Sequence, residues 1–229
     1  PMMPVRFLPH SLLLQAAMLA SLLLWAAPGS AVLIQVDFTG VVAFVPEPLA
    51  GGPIADEDQV TGRFVYDTAV SDVSDDPNNG FYPNAVQSFE ITIGSYSIAT
   101  TSPTGFQVRN DSPSTPSPID NFLVNAQENA VVELDGDLIN GLDPFRMQWG
   151  PFSRDLTRVL SDAIPDVEGI LRFLPDEAMT NFNFVSFEEG NVVRWNQDSI
   201  TARVIPEPAT AMLLGLGLAG LSIAGRRSS

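Results

Sequence analysis

Between residues 32 and 205 this 229-residue chain predicts an all-β domain, an antiparallel sandwich or jelly roll. Three observations carry that expectation. Apolar residues recur at every second position, Gly, Pro, Asn and Asp clusters punctuate the runs, and only one stretch shows the period of a helix. About ten short strands separated by turn signals are what two packed antiparallel sheets require.

The first strand alternates Ile34, Val36 and Phe38 with Gln35, Asp37 and Thr39, and Val60 to Tyr66 follows after a loop from Pro46 to Gln59. A second loop, Ser71 to Ala85, leads into Phe89, Ile91 and Ile93, which alternate with Glu90 and Thr92, and then into Tyr96 to Thr100. Phe122 to Ala126 comes after the Pro-Ser tract Ser112 to Pro118, an extended and exposed linker by composition. Val132 and Leu134 alternate with Glu133 and Asp135. Ser153 to Ile164 reads as the one helix, with Leu156, Leu160 and Ile164 four apart and Pro165 as its stop. Ile170 to Leu174, Phe182 to Phe187, Val192 to Trp195, and Ile200, Ala202 and Val204 complete the strands. No fixed-period repeat runs through them, so solenoids and propellers lack support.

Both termini lie outside this domain. Residues 1–31 have the three parts of a secretory signal: Arg6 and His10 near the start, an apolar run from Leu12 to Trp25, and small residues up to Ala31, after which cleavage is expected. Residues 206–229 begin with Pro206, Glu207 and Pro208, continue as an uncharged apolar stretch from Ala209 to Ala224, and reach Arg226 and Arg227. As a helix that stretch would be about 24 Å long, slightly short for a hydrocarbon core of about 30 Å. The arginines place its C-terminal end in the cytoplasm and the domain from 32 to 205 on the other side.

These termini resemble the bacterial PEP-CTERM family, whose members join a signal peptide, a variable exported domain and a tail of this design. The residues that carry the resemblance are Pro206, Glu207, Pro208, the helix Ala209 to Ala224, and Arg226 with Arg227. It implies recognition by an exosortase, a membrane transpeptidase, in a Gram-negative bacterium that makes exopolysaccharide. The domain would be held transiently at the inner membrane, facing the periplasm, then passed to the cell surface or extracellular matrix. Val60 to Asp72 (VTGRFVYDTAVSD), with Tyr82 and Ser88 to Gly94, also looks like the opening strands of many such exported proteins. That likeness suggests a shared core and brings no catalytic residues.

Composition excludes much chemistry. All 11 basic residues are arginine, there is no cysteine, and the single histidine, His10, lies in the signal. Ser-His-Asp and Cys-His catalysis lack a base, Schiff-base chemistry lacks an amine, and zinc lacks its preferred ligands. No phosphate-binding glycine loop follows a strand. Without Arg6, Arg226, Arg227 and Glu207, 8 arginines face 26 acids, a charge of −18 that repels nucleic acid.

Two chemistries survive. A carboxylate pair could hydrolyse a glycosidic bond, though no pair is nominated, and Glu188 and Glu189, adjacent on an expected strand, would point to opposite faces. Calcium takes hard oxygen ligands, and Asp72, Asp75, Asp76, Asn78 and Asn79 crowd one loop, with Asp135 and Asp137 elsewhere. Neither set matches the EF-hand spacing, and turns use the same residues. Trp149 and Trp195, if exposed beside polar groups, would make platforms for sugar rings. The expectation is an exported protein without enzymatic activity. A carbohydrate-binding or carbohydrate-active protein working on exopolysaccharide is the alternative.

Overall fold

A computed structural model of the chain describes residues 32–112, 119–127, 134–153, 156–173, 179–181 and 183–206. Its strands are β1 (Leu33–Phe44), β2 (Gln59–Asp67), β3 (Asn79–Ile93), β4 (Tyr96–Thr100), β5 (Thr104–Ser112), β6 (Ile119–Gln127), β7 (Leu134–Gly136), β8 (Pro144–Trp149), β9 (Pro151–Ser153), β10 (Met179–Asn181), β11 (Asn183–Phe187) and β12 (Asn191–Ile205). Among the described residues one helix, α1 (Val167–Leu171), and two 3-10 turns, Glu47–Leu49 and Glu188–Gly190, accompany them.

The domain is nearly all-β and antiparallel, as the period-two pattern requires, but the sheet closes on itself. Following the hydrogen-bonded neighbours, β1 pairs β2, β2 pairs β3, β3 pairs β5, β5 pairs β6, β6 pairs β8, β8 pairs β11, β11 pairs β12, and β12 returns to β1. The result is an eight-stranded barrel rather than the two-layered sandwich or jelly roll expected. Alternation reports that one face of a strand is buried; it does not report which strands are neighbours. Closure depends on β3, whose first half pairs β5 and whose second half pairs β2 and β4, with a register shift between Tyr82 and Val86. Asn84 sits there with φ of 58°, a left-handed conformation that asparagine tolerates.

Inward positions fill the barrel with rings. Phe38, Phe64, Phe106, Trp149 and Trp195 are buried, with Phe64 4.9 Å from Trp149 and Phe38 6.0 Å from it, centroid to centroid. Phe38 faces Gly62 across the β1–β2 ladder, and a Cβ on Gly62 would lie 2.1 Å from the Phe38 ring. Glycine is therefore needed for the ring to lie against the strand, which gives the GRFVYD segment a physical reason. Gly62→Ala should cost about 1–3 kcal/mol in urea unfolding, and Phe38→Leu in that background should recover part of it.

One end of the barrel is closed by residues 156–173. Tyr66 donates its hydroxyl to the Pro165 carbonyl and Tyr82 to the Asp162 carbonyl, each at 2.7 Å. Burial raises both phenols, with a further push on Tyr82 from Asp72 that takes it to about 12. Phe173 and Ile170 are buried, with Phe173 4.7 Å from Phe122.

Several local expectations are corrected. Residues 156–164 form turns and irregular chain, not a helix: Val159 is buried and donates its N–H to Asp120, while Leu156 and Leu160 are 38% and 69% exposed. Two of the three apolar residues at this spacing thus face water, while Ile164 is half-buried against the core. Ile170 to Leu174 is not a strand: Asp166 caps α1 by accepting from Gly169 N at 2.8 Å, and Leu174 lies outside the described residues. The loop Ser71 to Ala85 ends early, because Asn79 onward joins β3. Glu188 begins a 3-10 turn instead of continuing a strand. Strands β5, β8, β9 and β10 were not anticipated. Phe182, Val132, most of the Pro-Ser tract, the signal segment and the apolar tail lie outside the described residues.

Candidate functional site

Strands β1 and β12 run antiparallel with Leu33 opposite Ile205. The start of the domain, just after Ala31, and the entry to Pro206 therefore lie side by side at one end of one ladder. Beside them is a largely apolar groove of about 610 Å³ that includes Val32, Ile34, Leu171 and Val204. Strand pairing fixes where the tail departs, and the tail itself begins where the description stops, at Pro206. Glu207, Pro208, Arg226 and Arg227 lie outside the described residues, as does Ala31.

Two of the calcium candidates, Asp72 and Asp76, accept hydrogen bonds from the turn they sit in. Asp72 Oδ1 accepts from the backbone N–H groups of Ser74 and Phe81, at 2.8 and 2.7 Å. Asp76 Oδ1 accepts from Asn78 N at 2.9 Å, and its other oxygen accepts from the Asn79 amide. Those bonds, the Asn78 backbone first, hold the Asp76 carboxyl below its ordinary value. Asn78 lies in the same turn, and Asp75 in the irregular chain just before it. Among the described residues no group of three or more acidic side chains is placed to hold a metal ion.

Trp149 and Trp195 are interior residues, 0% and 1% exposed, and form no surface platform. Trp149 Nε1 donates to Gln197 Oε1 at 2.7 Å, and the Trp195 ring lies nearly parallel to Phe38 at 6.4 Å. Buried pairing of this kind is core construction. The expectation of sugar contact through these two residues is overturned by their burial.

Asp120 went unnoticed in the sequence. Its side chain is fully buried at the closed end, Oδ1 accepting from Asp111 N at 2.9 Å and Oδ2 from Val159 N at 2.8 Å, with Arg158 N also bonded to it. Desolvation raises its pKa, and the backbone donors only partly offset that. It ties β5, β6 and the closing segment together. An acid at the head of FLVNA could have been suspected of pointing inward, since it shares parity with Phe122 and Val124.

On the outer wall Arg63 pairs with Asp37 at 2.6 Å and with Glu90 at 3.6 Å, exposed pairs of small energetic weight. Another outer stretch, on β3, β5 and β6, is different in kind. It forms a groove of about 340 Å³ with Phe81, Asn84, Gln107, Asn125 and Gln127 along it and no charged residue in its lining.

A family model described as the PEP-CTERM protein-sorting motif matches residues 204–228. No curated protein and no solved structure matches the chain. The motif supports exosortase-dependent sorting of an exported protein, along a membrane-transit route used in Gram-negative bacteria.

Proposed function

We propose that this chain is an exported, non-enzymatic protein whose β-barrel is delivered to the cell surface or extracellular matrix and whose tail is a removable address. The signal at residues 1–31 sends it across the inner membrane. The apolar segment Ala209 to Ala224 then holds it there with the barrel in the periplasm, and an exosortase cuts near Pro206, Glu207 and Pro208. The match of the sorting motif to residues 204–228 is the observation that carries this reading. The strand register supports it: Leu33 opposite Ile205 brings the two ends of the domain together at one end of a closed barrel, so cuts outside them would leave the ring of strands whole.

The test is replacement of Pro206, Glu207 and Pro208 by alanine in the producing cell. Retention of the barrel in the membrane fraction is expected, and release at the ordinary level would overturn the reading. This reading assigns calcium no part; the hydrogen bonds that Asp72 and Asp76 accept from turn amides support it. Millimolar calcium should leave the melting temperature unchanged.

A carbohydrate-binding role is the second reading, and one observation favours it: the uncharged groove of Phe81, Gln107 and Asn125 on an otherwise acidic protein.

A further inference from the structure

We infer that the groove across β3, β5 and β6 binds an acidic polysaccharide, with Phe81 as the stacking surface and the amides of Gln107 and Asn125 as donors to sugar carboxylates and hydroxyls. The strand register builds it. Phe81 stands opposite Gln107, and Gln107 opposite Leu123, forming one outward row; Gly105 opposite Asn125 begins the next. The residues between them, Tyr82, Phe106, Val108, Phe122 and Val124, are buried, so these rows face out.

Phe81 is 42% exposed, a large ring left on the surface. It rests on Gly105, where a Cβ would come within 3.0 Å of the ring edge. The glycine lets the ring settle against the sheet, so one side packs on backbone and the other is offered to a ligand. An aromatic face covers the C–H face of a pyranose in the way it covers other apolar surface.

The amides are oriented from behind. Arg146 Nε donates to Asn125 Oδ1 at 2.6 Å, and Arg109 Nη2 donates to Gln107 Oε1 at 3.3 Å. With each oxygen taken by a guanidinium, the NH2 ends of both side chains are left as donors, without a partner among the described residues. Thr104 adds rigidity by donating its hydroxyl to the Asn125 carbonyl at 2.6 Å. The groove thus presents donors, backed by two cations, in a chain that carries 27 acids and 11 arginines. Three other grooves among the described residues each include carboxylates: Asp166 and Glu168 in two of them, one of which also holds Arg158 and Arg172, and Glu90, Asp135 and Asp137 in the third. An acceptor-rich, negatively charged ligand meets no carboxylate in this groove, whereas each of the others sets at least two in its path. A volume of about 340 Å³ falls in the size range of small-ligand sites.

This assignment deepens the export reading and rests on it, because an acidic polysaccharide is met outside the cell. Its test is independent of processing. The full chain in detergent micelles is titrated with oligogalacturonate and, separately, with a neutral cello-oligosaccharide, by isothermal calorimetry. The expected result is binding of oligogalacturonate in the millimolar range or tighter, weakened about tenfold by Phe81→Ala and about fivefold by Gln107→Ala, and unaffected by Glu90→Gln. Near-ultraviolet circular dichroism of the buried tryptophans verifies that each variant is folded. Undetectable binding at about 10 mM ligand, equal affinity of wild type and Phe81→Ala, or equal affinity for the neutral oligosaccharide would overturn it. None of those outcomes touches the sorting reading, and a tail that stays uncut would leave the binding result intact.

Discussion

Asp120→Ala is expected to lower the stability of the domain by about 3–5 kcal/mol, because three backbone donors lose their acceptor and at least one of them is buried. The side chain is the knot between β5, β6 and the segment that closes the barrel. Its loss should loosen residues 156–173 first, since Val159 is fastened to the wall by that carboxylate. Hydrogen exchange would show this as lost protection of the Val159 amide. Asp120→Asn, which keeps one acceptor oxygen, should cost less.

The pH dependence of this pair of proteins has a definite sign. Burial, reinforced by the nearby charge of Asp111, raises the Asp120 pKa above 3.8, so the folded state holds that proton more tightly than the unfolded chain does. The contribution is fully present below the unfolded pKa and is lost as pH rises through the folded one. Asp120→Asn lacks the titration. The stability advantage of wild type over Asp120→Asn should therefore narrow as pH rises through that window, in denaturant unfolding at a series of pH values. An advantage that widens would mean the carboxylate is stabilised as an anion.

Trp149→Ala is the second large effect. The ring is fully buried against Phe64 and Phe38, and its truncation leaves a cavity while stripping Gln197 Oε1 of its donor. A loss of about 3–5 kcal/mol follows, which for a domain of this size lowers the melting temperature by about 10 °C or more. Trp149→Phe should fall between, keeping most of the packing and losing the hydrogen bond. A melting temperature unchanged by Trp149→Ala would contradict the interior position of this residue.

The class of fold was legible because a half-buried strand writes itself as alternation. Ile34, Val36 and Phe38, or Phe89, Ile91 and Ile93, admit little else. Closure was not legible, since besides the divided β3 it needs β5 and β8. In β5 only Phe106 and Val108 alternate clearly, and in β8 the stretch Arg146, Met147, Gln148, Trp149 is short and begins after proline. The same weakness helped hide the candidate groove: its donor Gln107 sits on the outward side of β5, and Asn125 on that of β6. Leu156, Leu160 and Ile164 misled in the opposite sense. A spacing of four is a helical signal only if the chain between can bond to itself, and Val159 N bonds to Asp120 instead. The tryptophans were misplaced because their neighbours in sequence, Gln148 and Arg194, are polar; on a strand those neighbours face the other way. The sorting tail was the most readable part, because its triplet, apolar run and arginines need no tertiary context.

The most direct measurement of the central claim is mass spectrometry of the mature protein from the producing cell, mapping both ends in the membrane and released fractions. The account predicts an N-terminus at Val32 and a C-terminus in the neighbourhood of Pro206 to Pro208, with the truncated form in the released fraction. Full-length chain still carrying Arg226 and Arg227, confined to the membrane fraction, would contradict it.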